Sequence, residues 1–531
     1  MTDQTVPPSA EAASAEAAPE GRLGAAATLA LLAGPLLSMV DSNVVNVAIP
    51  DIARELHGSL PAVQWTVSGY LLALAATLPA TSYLGKRLGT VRVYAVSLAA
   101  FTLTSVLCAL AQNVPELVAG RVLQGVAAAP LVPLSMSLVF GRGTAAVRRV
   151  PVSAGIVLFL GPALGPTVGG LLISAWSWPA IFFINAPIGL AALAALPLLR
   201  RRGITDTPDR SARFDPFGLL LLSAGLAAAS YGATEGPTHG WWAPRSWPFW
   251  SGGLLLIIGY LWWARGREHP AVDLRLLRRA QSALAVWLCT ITAVAMFSVL
   301  FLLPVLIQDV QGHGPLASGL VLLPQGIVMG LSTKWGMSVG ERGWLRLGIL
   351  AGLLGIGVTT TLLLLVTVDT PLWVVAVLMG GRGLGIGLVM QPLLMALLTG
   401  MSRDQLADAN TLFNVGQRLG GSLGVGLLAT FFTLRVTAHV KAVLGAAASG
   451  IGQGAGTISA APAALRPRLA GAAVAGFHDT IWVGVAIVAV GLVCALFLRP
   501  AGIGAGGDVQ DGDGADGDGS GLALTTAEPN A

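Results

Sequence analysis

The sequence predicts an all-α, polytopic membrane protein, and three observations carry that expectation. Hydrophobic residues make up 54% of the chain and charged ones only 11%, with a mean hydropathy of +0.75. A soluble domain typically carries about 25% charged residues. Apolar stretches of roughly 20 residues recur from Leu23 to Leu498, each long enough to cross a bilayer as a helix. The basic residues are also unevenly shared between the connecting segments.

The expected spans cover residues 24–49, 62–84, 92–112, 115–140, 150–174, 178–199, 214–235, 247–265, 281–308, 316–338, 345–367, 371–400, 405–434 and 479–498, fourteen in all. With the N-terminus inside, inner segments hold 22 Lys and Arg and outer segments six, with Arg121, Arg382 and Arg418 inside spans. Basic residues favour the cytoplasmic side, so an N-in, C-in chain is expected. Clusters such as Arg200–Arg201–Arg202 then read as topology anchors, and no nucleic-acid partner is expected.

Residues 1–21 are polar and read as a disordered tail, since no basic start precedes an apolar stretch. Spans one to six, within 22–200, make one half. Residues 201–270 carry a two-helix insert, and 271–502 a second half. Residues 436–478, rich in Gly and Ala, read as a long outer loop, and the Gly/Asp-rich 503–531 as a second disordered tail. Gly120–Arg121–Val122–Leu123 opens the fourth span and Gly381–Arg382–Gly383–Leu384 the twelfth, an echo that fits two repeated halves. Repeated halves are a common plan of secondary transporters, with the substrate site between them.

In the first span stands Asp41, the one acid placed deep within an apolar stretch. A charge at the bilayer centre costs at least about 2.5–3.5 kcal/mol, so it needs a partner or a wet cavity. Arg121 is the natural partner. Counting 1.5 Å per residue from the outer helix ends puts Asp41 roughly 13 Å deep and Arg121 roughly 9 Å deep. A buried carboxyl beside an arginine feels two opposed influences on its proton, which suits a proton-carrying site. The alternatives are a static ion pair or a hydrogen bond within the helix.

The fifth span contains Gly161, Pro162, Gly165, Pro166, Gly169 and Gly170. Glycines four apart stack on one helix face and let a neighbour approach closely. Each proline removes a backbone donor and bends the helix. In the thirteenth span Asn410, Asn414 and Gln417 share a face with Gly421. That stripe either lines a substrate path or acts as interhelical glue, and Gln325 and Gln391 are read the same way. Trp65, Tyr70 and Phe413 are candidates to stack on a flat cargo, with Trp65 placed as an interface anchor.

Other chemistries are poorly served. Cys108, Cys289 and Cys494 all fall in apolar spans, no two histidines show ligand spacing, and no nucleotide-binding loop occurs. No metal or other cofactor is expected. No nucleophile, base or metal-ligand cluster sits at a span end, so an enzyme is not expected. A non-transporting sensor or scaffold on this architecture would have no use for Asp41.

Four motifs resemble the major facilitator superfamily, and more narrowly its 14-helix drug:proton antiporters of the EmrB/QacA type. Met39 to Pro50 resembles the acidic first-helix motif, whose proton-coupling acid maps to Asp41. Arg121–Val122–Leu123–Gln124–Gly125 resembles the RxxQG motif, whose arginine is implicated in proton transfer. Gly161 to Gly170 resembles the antiporter motif. His269 to Leu277 resembles the segment leading into the second half, and Trp176–Ser177–Trp178 and Ile184 to Gly189 add to the likeness. The resemblance implies a major facilitator fold of two six-helix halves plus the insert. It also implies proton-driven export of multiple drugs or antibiotics by alternating access from a bacterial plasma membrane. A dedicated exporter of one metabolite is the alternative.

Asn43, Asn46, Gln124, Gln325, Arg382, Gln391, Asn410, Asn414 and Gln417 would line the cavity. Gly85, Lys86, Arg87 and Gly89 would form the cytoplasmic gate loop, where Ser82 replaces a glycine and Lys86 the usual aspartate. That departure removes the acid of the family's interlock. The tenth span, Gly319 to Met337, holds no acid. The expected partners are therefore protons, the lipid bilayer and lipophilic cationic or neutral molecules, for a chain acting as a monomer. A periplasmic adaptor is conceivable by resemblance, and no residue specifies one.

Overall fold

A computed structural model describes residues 25–140, 165–201, 215–267, 270–272, 274–399, 401, 403–444 and 465–498. The described residues form helices joined by short turns, with no strand among them. We number the long helices α1 (Ala25–Glu55), α2 (Trp65–Leu88), α3 (Thr90–Ala109), α4 (Val114–Ala128), α5 (Gly165–Ala175), α6 (Asn185–Ala195) and α7 (Pro216–His239). There follow α8 (Trp247–Arg265), α9 (Ala280–Val305), α10 (Pro315–Glu341), α11 (Leu345–Leu362), α12 (Leu372–Leu398), α13 (Arg403–Leu444) and α14 (Arg466–Ala495). Each expected span meets one of them. Among the described residues eleven helical stretches are long and apolar enough to cross a membrane by length and composition.

Local chemistry sets several boundaries that matter for the site. Asn113 caps α4 by accepting from the Glu116 amide at 2.9 Å, while Glu116 accepts from the Gln112 amide at 2.8 Å. This reciprocal cap fixes where α4 starts and thus where Arg121, two turns on, points. At the end of α9, Pro304 lies inside the helix, and Leu306–Val310 follows as a π-helical turn. After α8, the Arg275 guanidinium donates to the carbonyls of Ala264, Arg265 and Arg267 at 3.0–3.2 Å, closing the helix end.

Helices α1–α4 and α6 pack on one another, as do α9–α14, with α7 and α8 as a close pair. That pair lies along the seam, because α7 touches both α2 and α13. Ser223 donates to the Ala76 carbonyl at 2.9 Å, and Tyr231 stacks against Trp65 at 5.6 Å. Trp65, expected as an interface anchor, thus packs on the insert.

The two halves meet at one end. Gln308 donates to the Val47 carbonyl at 2.9 Å, and Ser68 and Ser422 exchange hydrogen bonds at 3.1–3.2 Å. Thr167 donates to the Gly319 carbonyl at 3.1 Å, and the Leu316 amide to Ser174 at 3.2 Å. One continuous apolar core joins the halves here, running from Val47, Ile49 and Val67 to Phe301, Leu303 and Phe432. Towards the opposite end the second half keeps a separate core around Leu288, Ile349, Leu393 and Ala409. The molecule is zipped at the end carrying residues 47–68, and its halves have separate cores at the other.

The expected outer loop at 436–478 needs correction: α13 continues to Leu444 and α14 begins at Arg466. Asp479 holds the extension in place, accepting from Arg435 at 2.7 Å and pairing with His439 at 2.8 Å, one helical turn apart. Val436 and Val440 bury the other face. The two expected tails, Gly161 and Pro162 lie outside the described residues.

Candidate functional site

Asp41 and Arg121 form an ion pair, both side chains wholly buried. Their surroundings are built by five helices. Asp41 comes from α1, and Arg121 and Gln124 from one face of α4. Ser105 is on α3, Asn185 opens α6, and Tyr70 sits on α2. One carboxylate oxygen accepts from Arg121. The other accepts from the Gln124 amide and the Asn185 amide, each at 3.2 Å. Both amides also donate to Ser105 Oγ, at 2.5 and 3.0 Å. Each of these groups that touches Asp41 is a donor, so the pocket matches the charged carboxylate. Protonating Asp41 would forfeit the charge-assisted bond to Arg121.

Arg121 is held independently of that bond. Its Nε donates to the Thr66 carbonyl at 2.9 Å, and Nη1 also donates to Gln124 Oε1 at 2.6 Å. Its guanidinium lies 4.1 Å from the centre of the Tyr70 ring and 5.7 Å from that of Phe182. Aromatic faces stabilise a desolvated cation by up to about 2 kcal/mol. Tyr70 is placed in turn by Ser38, through the hydroxyl and carbonyl at 3.3 Å, and by Ser42 at 3.4 Å. Tyr70 thus stacks on the protein's own arginine, and Phe413 is buried in the core of the second half.

The described part of the glycine ladder presses α5 against both halves. A Cβ on Gly165 would lie 3.0 Å from both Asn43 Cβ and the Val40 carbonyl of α1. One on Gly169 would lie 2.7 Å from a Val44 methyl, and one on Gly170 2.5 Å from the Pro315 carbonyl of α10. Gly319 of α10 returns the contact, meeting the Pro166 carbonyl. The backbones are too close for any side chain there.

The comparisons with known proteins bear on this arrangement. The family model described as Major Facilitator Superfamily matches residues 31–425. The chain belongs to the major facilitator superfamily. A multidrug resistance protein B homologue of Mycobacterium tuberculosis is 33% identical over 88% of this chain and 87% of its own. The multidrug export protein EmrB of Escherichia coli is 28% identical over 78% and 81%. Among solved structures, a bacterial homologue of the human lysosomal transporter Spinster, inward-facing and unoccupied, superposes with a TM-score of 0.60 at 13% identity. It covers 89% of this chain and 96% of that one.

The remaining expected site residues occupy distinct places in the facilitator fold. Arg382 of α12, which the sequence echo pairs with Arg121, is fully buried and donates towards α9. Where Arg121 finds a carboxylate, Arg382 donates to Thr360 Oγ1 and, at 2.5 Å, to the Ala295 carbonyl. Asn43 and Asn46 are buried on α1 and donate to the carbonyls of Met39 and Asn43, at 2.8 and 3.2 Å. Gln325 is buried on α10 with its carbonyl unpartnered, and Gln391 is half-buried on α12. On α13, Asn410 is exposed, Asn414 donates to its carbonyl at 2.8 Å, and Gln417 reaches Met390 Sδ at 3.7 Å.

At the gate loop Lys86 and Arg87 are exposed, and Gly89 takes φ +98° at the turn from α2 to α3, a conformation that favours glycine. Sequence reasoning missed Ser105, Asn185 and Tyr70 as neighbours of the ion pair. Asn185 lay in the Ile184–Gly189 stretch, but its spacing carried no sign that it faces Asp41.

Proposed function

We propose that this chain exports lipophilic small molecules in exchange for protons, by alternating access. The observation that carries the proposal is the Asp41–Arg121 pair, buried by five helices just inside the end where the halves are zipped. A static pair would serve stability poorly, since replacing a buried ion pair with packed apolar residues is often neutral or stabilising. The multidrug names of the relatives support drugs or antibiotics as the cargo.

The basic-residue bias supports an N-in, C-in chain crossing a bacterial plasma membrane fourteen times. On that orientation the zipped end is outer, and the state described is closed outward. Asp41, held ionised by its donors in this state, takes up a proton only once the outer seam parts and that donor set loosens. Protonation releases Arg121, the halves rock, and the proton leaves towards the cytoplasm. Membrane potential assists entry by about 2.3 kcal/mol per charge per 100 mV. The ladder at Gly165, Gly169 and Gly170 seals the outer path in the closed state.

Of the cationic or neutral cargo expected, cationic compounds suit the site less well, because no acid pairs with Arg382 or Arg418 among the described residues. The test is a drug-susceptibility panel in an efflux-deficient host. Native protein should raise tolerance to several lipophilic compounds, and Asp41→Asn, expressed equally, should raise none. Equal tolerance from Asp41→Asn would exclude the proposed coupling.

A further inference from the structure

Arg418 stands on α13, the helix whose Ser422 closes the seam with Ser68 of α2. It is four residues, about 6 Å at 1.5 Å per residue, from that hydrogen bond, on the side away from the zipped end. Gly421 beside it touches Leu71 of the first half and Phe297 of the second. The Arg418 side chain is partly buried, and its Nε is sealed with no hydrogen-bond partner. It makes no ion pair among the described residues. The other two intramembrane arginines differ, since Arg121 holds Asp41 and Arg382 holds Thr360 and the Ala295 carbonyl.

An intramembrane cation without a partner is expensive and ordinarily faces a functional counterpart. We propose that Arg418 anchors the acidic group of the cargo, so that the chain prefers lipophilic organic anions such as aromatic carboxylates. This deepens the exporter reading and rests on it.

Two observations converge. First, no acid pairs with Arg418 among the described residues: Asp41 is held by Arg121, and Asp408 of α13 lies ten residues from Arg418, about 15 Å along the helix. Second, the guanidinium presents a planar fork that fits a carboxylate. Asn414 stands one helical turn away on the same face, its amide donating to the Asn410 carbonyl at 2.8 Å. Exchange runs through the change of conformation here, because protonating Asp41 adds positive charge and would not expel an anion directly. The inside-negative potential favours the anion's exit.

The test is equilibrium binding to the purified full chain in detergent, using 2-naphthoate, 2-naphthamide and 2-naphthylmethylammonium, which share one apolar body. Native protein should bind the carboxylate at least tenfold more tightly than the ammonium compound. Arg418→Gln should weaken carboxylate binding at least tenfold while moving the amide less than twofold. Arg418→Lys, keeping the charge but not the fork, should fall between. The native ranking needs no variant, so it stands if Arg418→Gln does not fold. The ranking is read at equilibrium with no proton gradient, which separates failure of the anion site from failure of proton exchange. An ammonium compound bound as tightly as the carboxylate, no carboxylate binding to native protein, or an unchanged ratio in Arg418→Gln would overturn the proposal.

Discussion

Arg121 carries more of the site than any other residue, because it pairs with Asp41, braces Gln124 and lies on Tyr70. Arg121→Met leaves a buried carboxylate without its cation, a change that typically costs about 3–5 kcal/mol. We expect a clearly lowered unfolding midpoint in detergent, and the double variant Arg121→Met/Asp41→Leu should recover most of it. Asn185→Leu removes one of two donors to the same carboxylate oxygen. It should cost about 1–3 kcal/mol and slow proton-coupled efflux without abolishing it, read by dye flux and thermal unfolding.

Asp41 was legible because one acid in an apolar stretch is conspicuous, and Arg121 because its depth matched. Asn185, Ser105 and Tyr70 were not, since small polar and aromatic residues have many uses and helix rotation decides which they serve. Arg418 was visible as an intramembrane arginine, but its missing partner appears only when the helices are packed.

At the scale of elements, the glycine ladder makes the sharpest prediction. Gly169→Leu would drive a side chain into Val44, where even a Cβ would sit 2.7 Å from a methyl. Helix α5 must then move off α1, opening the proposed outer seal. Transport should fall at least tenfold, and a cysteine introduced at Val47 should label faster from outside. Unchanged labelling with unchanged transport would remove the ladder's role in closure. Helix existence was well signalled by apolar runs, whereas the extension of α13 past residue 434 was not. An Ala/Gly-rich helix beyond the apolar band reads as loop, and the Asp479 contacts that hold it come from a distant part of the chain.

For the whole molecule the shared core at one end and the separate core at the other describe a carrier caught closed on one side. Repeated halves were suggested by the Gly-Arg echo, and Arg382, like Arg121, is fully buried and holds partners on two neighbouring helices. Which end closes could not be read from sequence, because it depends on the conformation adopted. If the halves rock, Ser68→Cys with Ser422→Cys should form a disulfide under oxidation, stop efflux, and recover on reduction.

The most direct measurement places native chain and Asp41→Asn in proteoliposomes with an imposed pH step. It follows, with a pH dye, the flux of the compound to which the chain confers greatest tolerance, together with the protons. Native protein should move cargo against its gradient with opposing proton flow, and Asp41→Asn should do neither while still binding cargo. Proton-driven accumulation by Asp41→Asn at the native rate would contradict the account.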